Sequence, residues 1–206
     1  MIMSEDLILY NGPTSPFGRK CKIVTLILEI PHQEEKINIY KSRFLDEHNP
    51  LRQVPTLISG NRAIVDSDNI CLYLDSISNK KSLFPKDRYW DCVTMISIAN
   101  GIMENAVQRF IETSAISIEE QRSKAIERFE KKILRSIEWI ENKHDEFAKE
   151  EITMDQVAVA CALDYTSFRF SSEWKIKNTK LSKWLEEITK KDYMKITLPG
   201  ESFKYE

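Results

Sequence analysis

The sequence predicts a two-part chain: an α/β segment over residues 1–78, a linker over 79–88 and an all-helical segment over 89–206. Three observations carry this. Up to Ile77, short apolar runs bounded by turn residues alternate with stretches of helical spacing. The polar stretch Ser78 to Ser82, followed by Leu83-Phe84-Pro85, then breaks the pattern. Beyond it, the apolar periodicity is helical.

The elements follow in order. Leu7 to Tyr10 is a short apolar run ending at Asn11-Gly12-Pro13, a strand and a turn. Ser15-Pro16 opens a helix, serine as N-cap and proline at the first helical position. Phe17, Cys21, Val24 and Leu28 form its apolar face, and Pro31 stops it. A second strand covers Glu35 to Tyr40, and a short polar stretch ends at His48-Asn49-Pro50. Val54 to Ile58 reads as a third strand, Gly60-Asn61 as a hairpin turn and Ala63 to Val65 as the return strand. Asp66-Ser67 caps a helix with Ile70, Tyr73, Leu74 and Ile77 on its apolar face.

In the second part, Tyr89, Val93, Ile96, Asn100, Met103, Val107 and Phe110 step by four and three, which makes one long amphipathic helix. Phe129, Ile133, Ile137 and Ile140 mark another. Thr153-Met154-Asp155-Gln156 fits a capping box. The helix it opens is apolar nearly all round at its start, which predicts a central buried helix. Leu181, Trp184, Leu185 and Ile188 form one more, and the last dozen residues are weakly patterned.

Bulk properties exclude several classes. The 206 residues carry a formal net charge of −2 without a basic block, so no nucleic-acid partner is expected. No apolar run approaches the ~20 residues of a membrane helix, so no membrane partner is expected. The acidic start lacks an apolar signal core, which argues for a cytoplasmic protein. Cys21, Cys71, Cys92 and Cys161 form no Cys-x-x-Cys pair and fall among apolar neighbours, so they read as reduced core residues. The three histidines lack metal-ligand spacing, and no metal is expected.

Three features of the first part could carry chemistry. The helix start at Ser15 offers unpaired N–H groups and a partial positive charge to an anion such as a thiolate. Ser15 is the best-placed hydroxyl donor and Thr14 its competitor; taken alone, the feature is better explained by Ser15 as a simple N-cap. Val54-Pro55 is either a trans proline at a strand start or a cis bond that leaves the Val54 N–H and C=O free for an extended peptide. At Asp66-Ser67, hydroxyl and amides could grip a carboxylate and Asp66 an ammonium; capping alone also explains the pair.

Order and spacing add specificity. Ser15-Pro16-Phe17-Gly18-Arg19-Lys20, Asn49-Pro50-Leu51-Arg52-Gln53-Val54-Pro55-Thr56-Leu57 and Asp66-Ser67-Asp68-Asn69-Ile70 resemble the glutathione transferase N-terminal domain. Ala99 to Met103 and Ala160 to Tyr165 resemble a bacterial, serine-type branch of that family. The resemblance implies an α/β thioredoxin-like N-terminal domain and an all-α C-terminal domain. It implies that Ser15 hydrogen-bonds the glutathione sulfur. Val54 pairs through its backbone with the cysteinyl part, and Pro55 is the cis-proline after it. Asp66 and Ser67 hold the γ-glutamyl end, and Lys41 lies near the glycyl carboxylate. Three departures stand out: Asp66 where glutamate is usual, Gln156 where aspartate is frequent, and no glycine shortly before the capping box.

The activity implied is addition of the glutathione thiolate to an electrophilic small molecule, with glutathione as co-substrate, no other cofactor and a homodimeric state. A glutathione-dependent isomerase or dehalogenase would use the same thiolate. A non-catalytic binding or regulatory protein would have no need of Ser15, Pro55 and Ser67 together.

Overall fold

A computed structural model of the chain describes residues 7–38, 43–114 and 117–199. They fall into two compact units. One comprises residues up to Leu83 together with those from Asp192 on, and the other is Phe84–Lys191.

The first unit is built from β1 (Leu7–Asn11), α1 (Pro16–Ile27), β2 (Gln33–Lys36), a 3-10 turn (Phe44–Glu47), β3 (Thr56–Ser59), β4 (Arg62–Val65) and α2 (Ser67–Ile77). The strands form one mixed sheet in the order β2-β1-β3-β4. β1 runs parallel to β2 and antiparallel to β3, and β3 and β4 form the hairpin expected at Gly60. Gly60 has φ +57, which a glycine adopts without the Cβ clash other residues meet. This is the thioredoxin-like α/β arrangement. Leu7, Leu9 and Leu57 of the sheet are fully buried, as are Cys21, Ile23 and Val24 of α1 and Ile70, Cys71 and Leu74 of α2.

Three boundaries differ from expectation. β3 starts at Thr56 because Pro55 has no N–H to give the ladder. β2 covers Gln33–Lys36 because β1 ends at Asn11, whose partner is Lys36; the Ile37 N–H to Asn11 C=O bond (2.9 Å) closes the ladder. Ile39 and Tyr40 lie outside the described residues. α1 stops before Pro31, in a Schellman turn. The Glu29 N–H reaches the Leu26 carbonyl (3.3 Å) and the Ile30 N–H the Thr25 carbonyl (2.9 Å), with Glu29 at φ 53.

The chain end also differs. The short helix α9 (Asp192–Ile196), expected within the helical domain, packs with the first unit. Arg19 of α1 donates from Nε to Thr197 Oγ1 (3.3 Å) and from Nη2 to the Met194 carbonyl (3.2 Å).

The second unit holds α3 (Tyr89–Ser114), α4 (Ser123–Asn142), α5 (His144–Phe147), α6 (Met154–Arg169), α7 (Trp174–Lys177) and α8 (Thr179–Ile188). α6 is the expected central helix: every residue from Met154 to Leu163 is buried. Ile133, Ile137 and Ile140 of α4 and Leu181, Leu185 and Ile188 of α8 face inward as their spacing predicts. On α3 the buried stripe is Cys92, Met95, Ile96, Ala99, Ile102, Met103 and Ala106, which lies beside the predicted seam. Small side chains on that stripe and on α6 let the two helices pack closely.

The capping box at Thr153 is not formed as expected. Thr153 caps no backbone N–H. Its hydroxyl donates to Asp155 Oδ1 (2.6 Å), which also accepts the Gln156 N–H (3.1 Å). Arg88 donates to Asp155 Oδ2 (2.6 Å) and to Thr153 Oγ1 (2.9 Å). Gln156 Nε2 instead reaches the Glu151 carbonyl (2.8 Å). A fully buried carboxylate with an arginine partner outcompetes the box for these groups. Among the described residues no helix is long and apolar enough to cross a membrane.

Candidate functional site

The chain leaves β1, turns at Gly12 and enters α1. The Ser15 N–H donates to the Gly12 carbonyl (3.1 Å), and Ser15 Oγ accepts the Gly18 N–H (3.1 Å). Pro16 contributes no N–H at the first helical position, and the Phe17 N–H has no acceptor among the described residues. A serine hydroxyl accepts with its lone pairs and donates with its one hydrogen. Capping therefore leaves the Ser15 O–H available, and no acceptor for it occurs among the described residues. Ser15 is part-exposed and lines a cleft of about 460 Å3; Thr14 is buried and lies outside that lining.

Gly12 brings two predicted residues together. A Cβ on Gly12 would lie 3.1 Å from Val54 Cγ2 and 3.5 Å from Ser15 Cβ, so Val54 and Ser15 flank the same turn. The Val54–Pro55 peptide is cis. Among the described residues, neither the N–H nor the C=O of Val54 is hydrogen-bonded. Asn49, which had no role assigned from sequence, holds this loop. Its Nδ2 donates to the Gln53 carbonyl (3.0 Å) and to Thr56 Oγ1 (2.9 Å), and its Oδ1 accepts the Leu51 N–H (3.1 Å). Its place before Pro50 was the available signal.

Asp66 caps α2, its Oδ1 accepting the N–H groups of Asp68 (2.9 Å) and Asn69 (3.2 Å). Its backbone sits at φ 72 and ψ 132. A non-glycine residue held there is strained, and such residues cluster at functional positions. Ser67 is buried, and its hydroxyl has no hydrogen-bond partner among the described residues. Lys41 lies outside the described residues.

The first turn of α2 is anchored to α1 by contacts the spacing does not reveal. Lys20, with no solvent exposure, forms an ion pair with Asp68. Cys21 Sγ lies 3.6 Å from the Ser67 carbonyl and 3.9 Å from Cys71 Sγ. Burial, then the hydrogen bond and charge of Cys71, push the Cys21 thiol well up, so it stays protonated. Burial likewise raises Cys92 to about 12. All four cysteines are free and buried.

A hydroxyl donor and a free N–H at a helix start, an unpaired extended backbone beside them and a second capped helix start form a cradle for a peptide-like anion. Residues 9–82 match the family model described as "Glutathione S-transferase, N-terminal domain". The chain is similar to the uncharacterized GST-like protein YibF of Escherichia coli strain K12, 23% identical over 94% of this chain and 99% of the relative. It is 33% identical to the probable glutathione S-transferase parA of Nicotiana tabacum, over 42% of this chain and 40% of the relative. Among solved structures, a glutathione transferase family member from Pseudomonas fluorescens Pf-5 with bound glutathione superimposes with a TM-score of 0.87. It is 26% identical, over 94% of this chain and 99% of that one. With the sheet order, the Ser15 helix start and the cis Val54–Pro55 turn already in place, residues 9–82 match the glutathione S-transferase N-terminal domain, and the chain as a whole is similar to glutathione transferase family members.

Proposed function

We propose that this chain is a glutathione transferase: it binds glutathione with its sulfur at the start of α1, stabilises the thiolate and adds it to an electrophilic small molecule. One observation carries this. The Ser15 hydroxyl is fixed by accepting the Gly18 N–H and still has its proton to give. A free thiol with a pKa of about 8.5 is roughly 3% ionised at pH 7. Lowering it by two units makes the thiolate dominant and requires about 2.7 kcal/mol. One or two hydrogen bonds to a charged acceptor, each about 1.5–3 kcal/mol, supply that.

The remaining contacts follow. The Val54 N–H and C=O pair with the cysteinyl backbone, and Pro55 fixes the turn that presents them. Asp66 faces the γ-glutamyl ammonium, and Ser67 holds its carboxylate through its hydroxyl and its own N–H, since the Asp68 and Asn69 N–H groups are taken by Asp66. Lys41 takes the glycyl carboxylate. The protein acts in the cytoplasm as a homodimer and needs no metal. The glutathione-bound relative from Pseudomonas fluorescens supports the assignment of the ligand.

Two measurements test it. Immobilised glutathione retains the protein. Ser15→Ala lowers kcat/KM for an activated aryl halide by about tenfold to a hundredfold with the fold intact. Passage through the column, or full activity in the variant, contradicts the assignment.

A further inference from the structure

The cleft lined by Ser15 has a volume typical of small-molecule sites, about 300–1,000 Å3. Its lining is of two kinds. Ile37, Ile196 and Leu198 give apolar surface, and the last two are 64% and 57% exposed. Large apolar side chains left open beside a reacting atom offer area that a ligand covers.

The polar lining comes from α1 and β2. Glu34 and Lys36 share one face of β2 by the two-residue alternation of a strand. Lys22 Nζ donates to Glu34 Oε2 (2.6 Å) and Asn11 Nδ2 to Glu34 Oε1 (3.1 Å), so Glu34 and Lys22 neutralise each other. Burial raises the Glu34 carboxyl, but the hydrogen bonds from Lys22 and Asn11 outweigh it and hold the group below its ordinary value. Lys36 makes no ion pair within 4 Å among the described residues, acts on Glu34 only through its charge at longer range, and is exposed on the same cleft.

We propose that the electrophile is an amphipathic carboxylate, its apolar body against Ile196 and Leu198 and its carboxylate toward the Lys36 ammonium. The proposal rests on the glutathione assignment above. With an aryl halide the step balances without a further reactant. The thiolate sulfur forms a C–S bond to the carbon bearing the halogen, and the halide leaves with the electron pair. The same cation could serve the glycyl carboxylate of glutathione, and the test separates the two.

4-Chloro-3-nitrobenzoate and its neutral amide are the probes, and the change in KM of each on Lys36→Gln is read. The benzoate KM rises about three- to fivefold, as expected for one exposed charge contact. The kcat, the amide KM and the glutathione KM stay within twofold. Raising salt to about 0.5 M reproduces the loss in the unaltered protein. An unchanged benzoate KM overturns the proposal, as does a rise confined to the glutathione KM. Should no conjugation occur, calorimetric binding of unreactive 3-nitrobenzoate and 3-nitrobenzamide reads the same contact. The acid binds about three- to fivefold tighter than the amide, and Lys36→Gln removes the difference. Equal affinities overturn the proposal, whereas loss of glutathione retention with acid selectivity intact faults only the transferase assignment.

Discussion

Replacing Asp68 by asparagine leaves the Lys20 ammonium in the interior without its carboxylate. Burial opposes the charge on Lys20, yet Cys71 and Asp68 outweigh it and hold the group above its ordinary pKa. The side chain is therefore a cation at neutral pH. Removing one partner of a buried pair costs about 3–5 kcal/mol. Asp68 retains 35% side-chain exposure, which places the cost at the low end, about 3 kcal/mol. For a chain of this size each kcal/mol moves Tm by about 2–4 °C, so a fall of roughly 6–12 °C is expected in thermal unfolding followed by circular dichroism. The double variant Lys20→Met with Asp68→Leu removes both charges and should lie within about 1 kcal/mol of the parent. The pair ties α1 to the turn that carries Asp66 and Ser67, so glutathione retention falls in Asp68→Asn as well. A Tm within about 2 °C of the parent would show that the ammonium does not depend on Asp68.

Other outcomes follow from the same structure. Asp155→Ala strips Arg88, Thr153 and the Gln156 N–H of a common acceptor and should cost about 3–5 kcal/mol in urea unfolding; Gln156→Ala costs about 1 kcal/mol, and equal effects would restore the capping box. The Arg122 guanidinium and N–H hold the Glu112 carboxyl at about 2, against 4.5 ordinarily. A lowered acid pKa contributes stability above 4.5 that is lost as pH falls toward 2. The Tm gap between parent and Glu112→Gln should thus be full at neutral pH and narrow below 4.5, and a constant gap refutes the pairing. The four cysteines should resist a disulfide thiol reagent in the native protein and all react in denaturant; one fast native thiol would contradict their burial.

What the sequence shows depends on range. Ile133, Ile137 and Ile140 are buried as their spacing requires, because periodicity reports one face of one element. The Gly60 hairpin and the Ser15 cap are equally local, and both stand. At Thr153 the local pattern misleads, since Arg88, 65 residues earlier, draws Thr153 and Asp155 into a different set of bonds. The burial of Lys20 has no signal in its local sequence, since its partner Asp68 lies 48 residues on. Arg19 binds Met194 and Thr197 across the length of the chain, and that contact gives the weakly patterned end its place in the first unit. At the site, Ser15, Val54 and Ser67 are visible as turn and cap chemistry; Gly12 and Asn49, which set the loops, show their roles only in three dimensions.

The most direct measurement is the ionisation of glutathione on the protein, read from the ultraviolet absorbance of the thiolate as pH is raised. The midpoint should fall at least one unit below the free-thiol value of about 8.5, and Ser15→Ala should return it toward that value. Coincident midpoints for bound and free glutathione, or a midpoint that Ser15→Ala leaves in place, would contradict a sulfur anion held by the Ser15 hydroxyl.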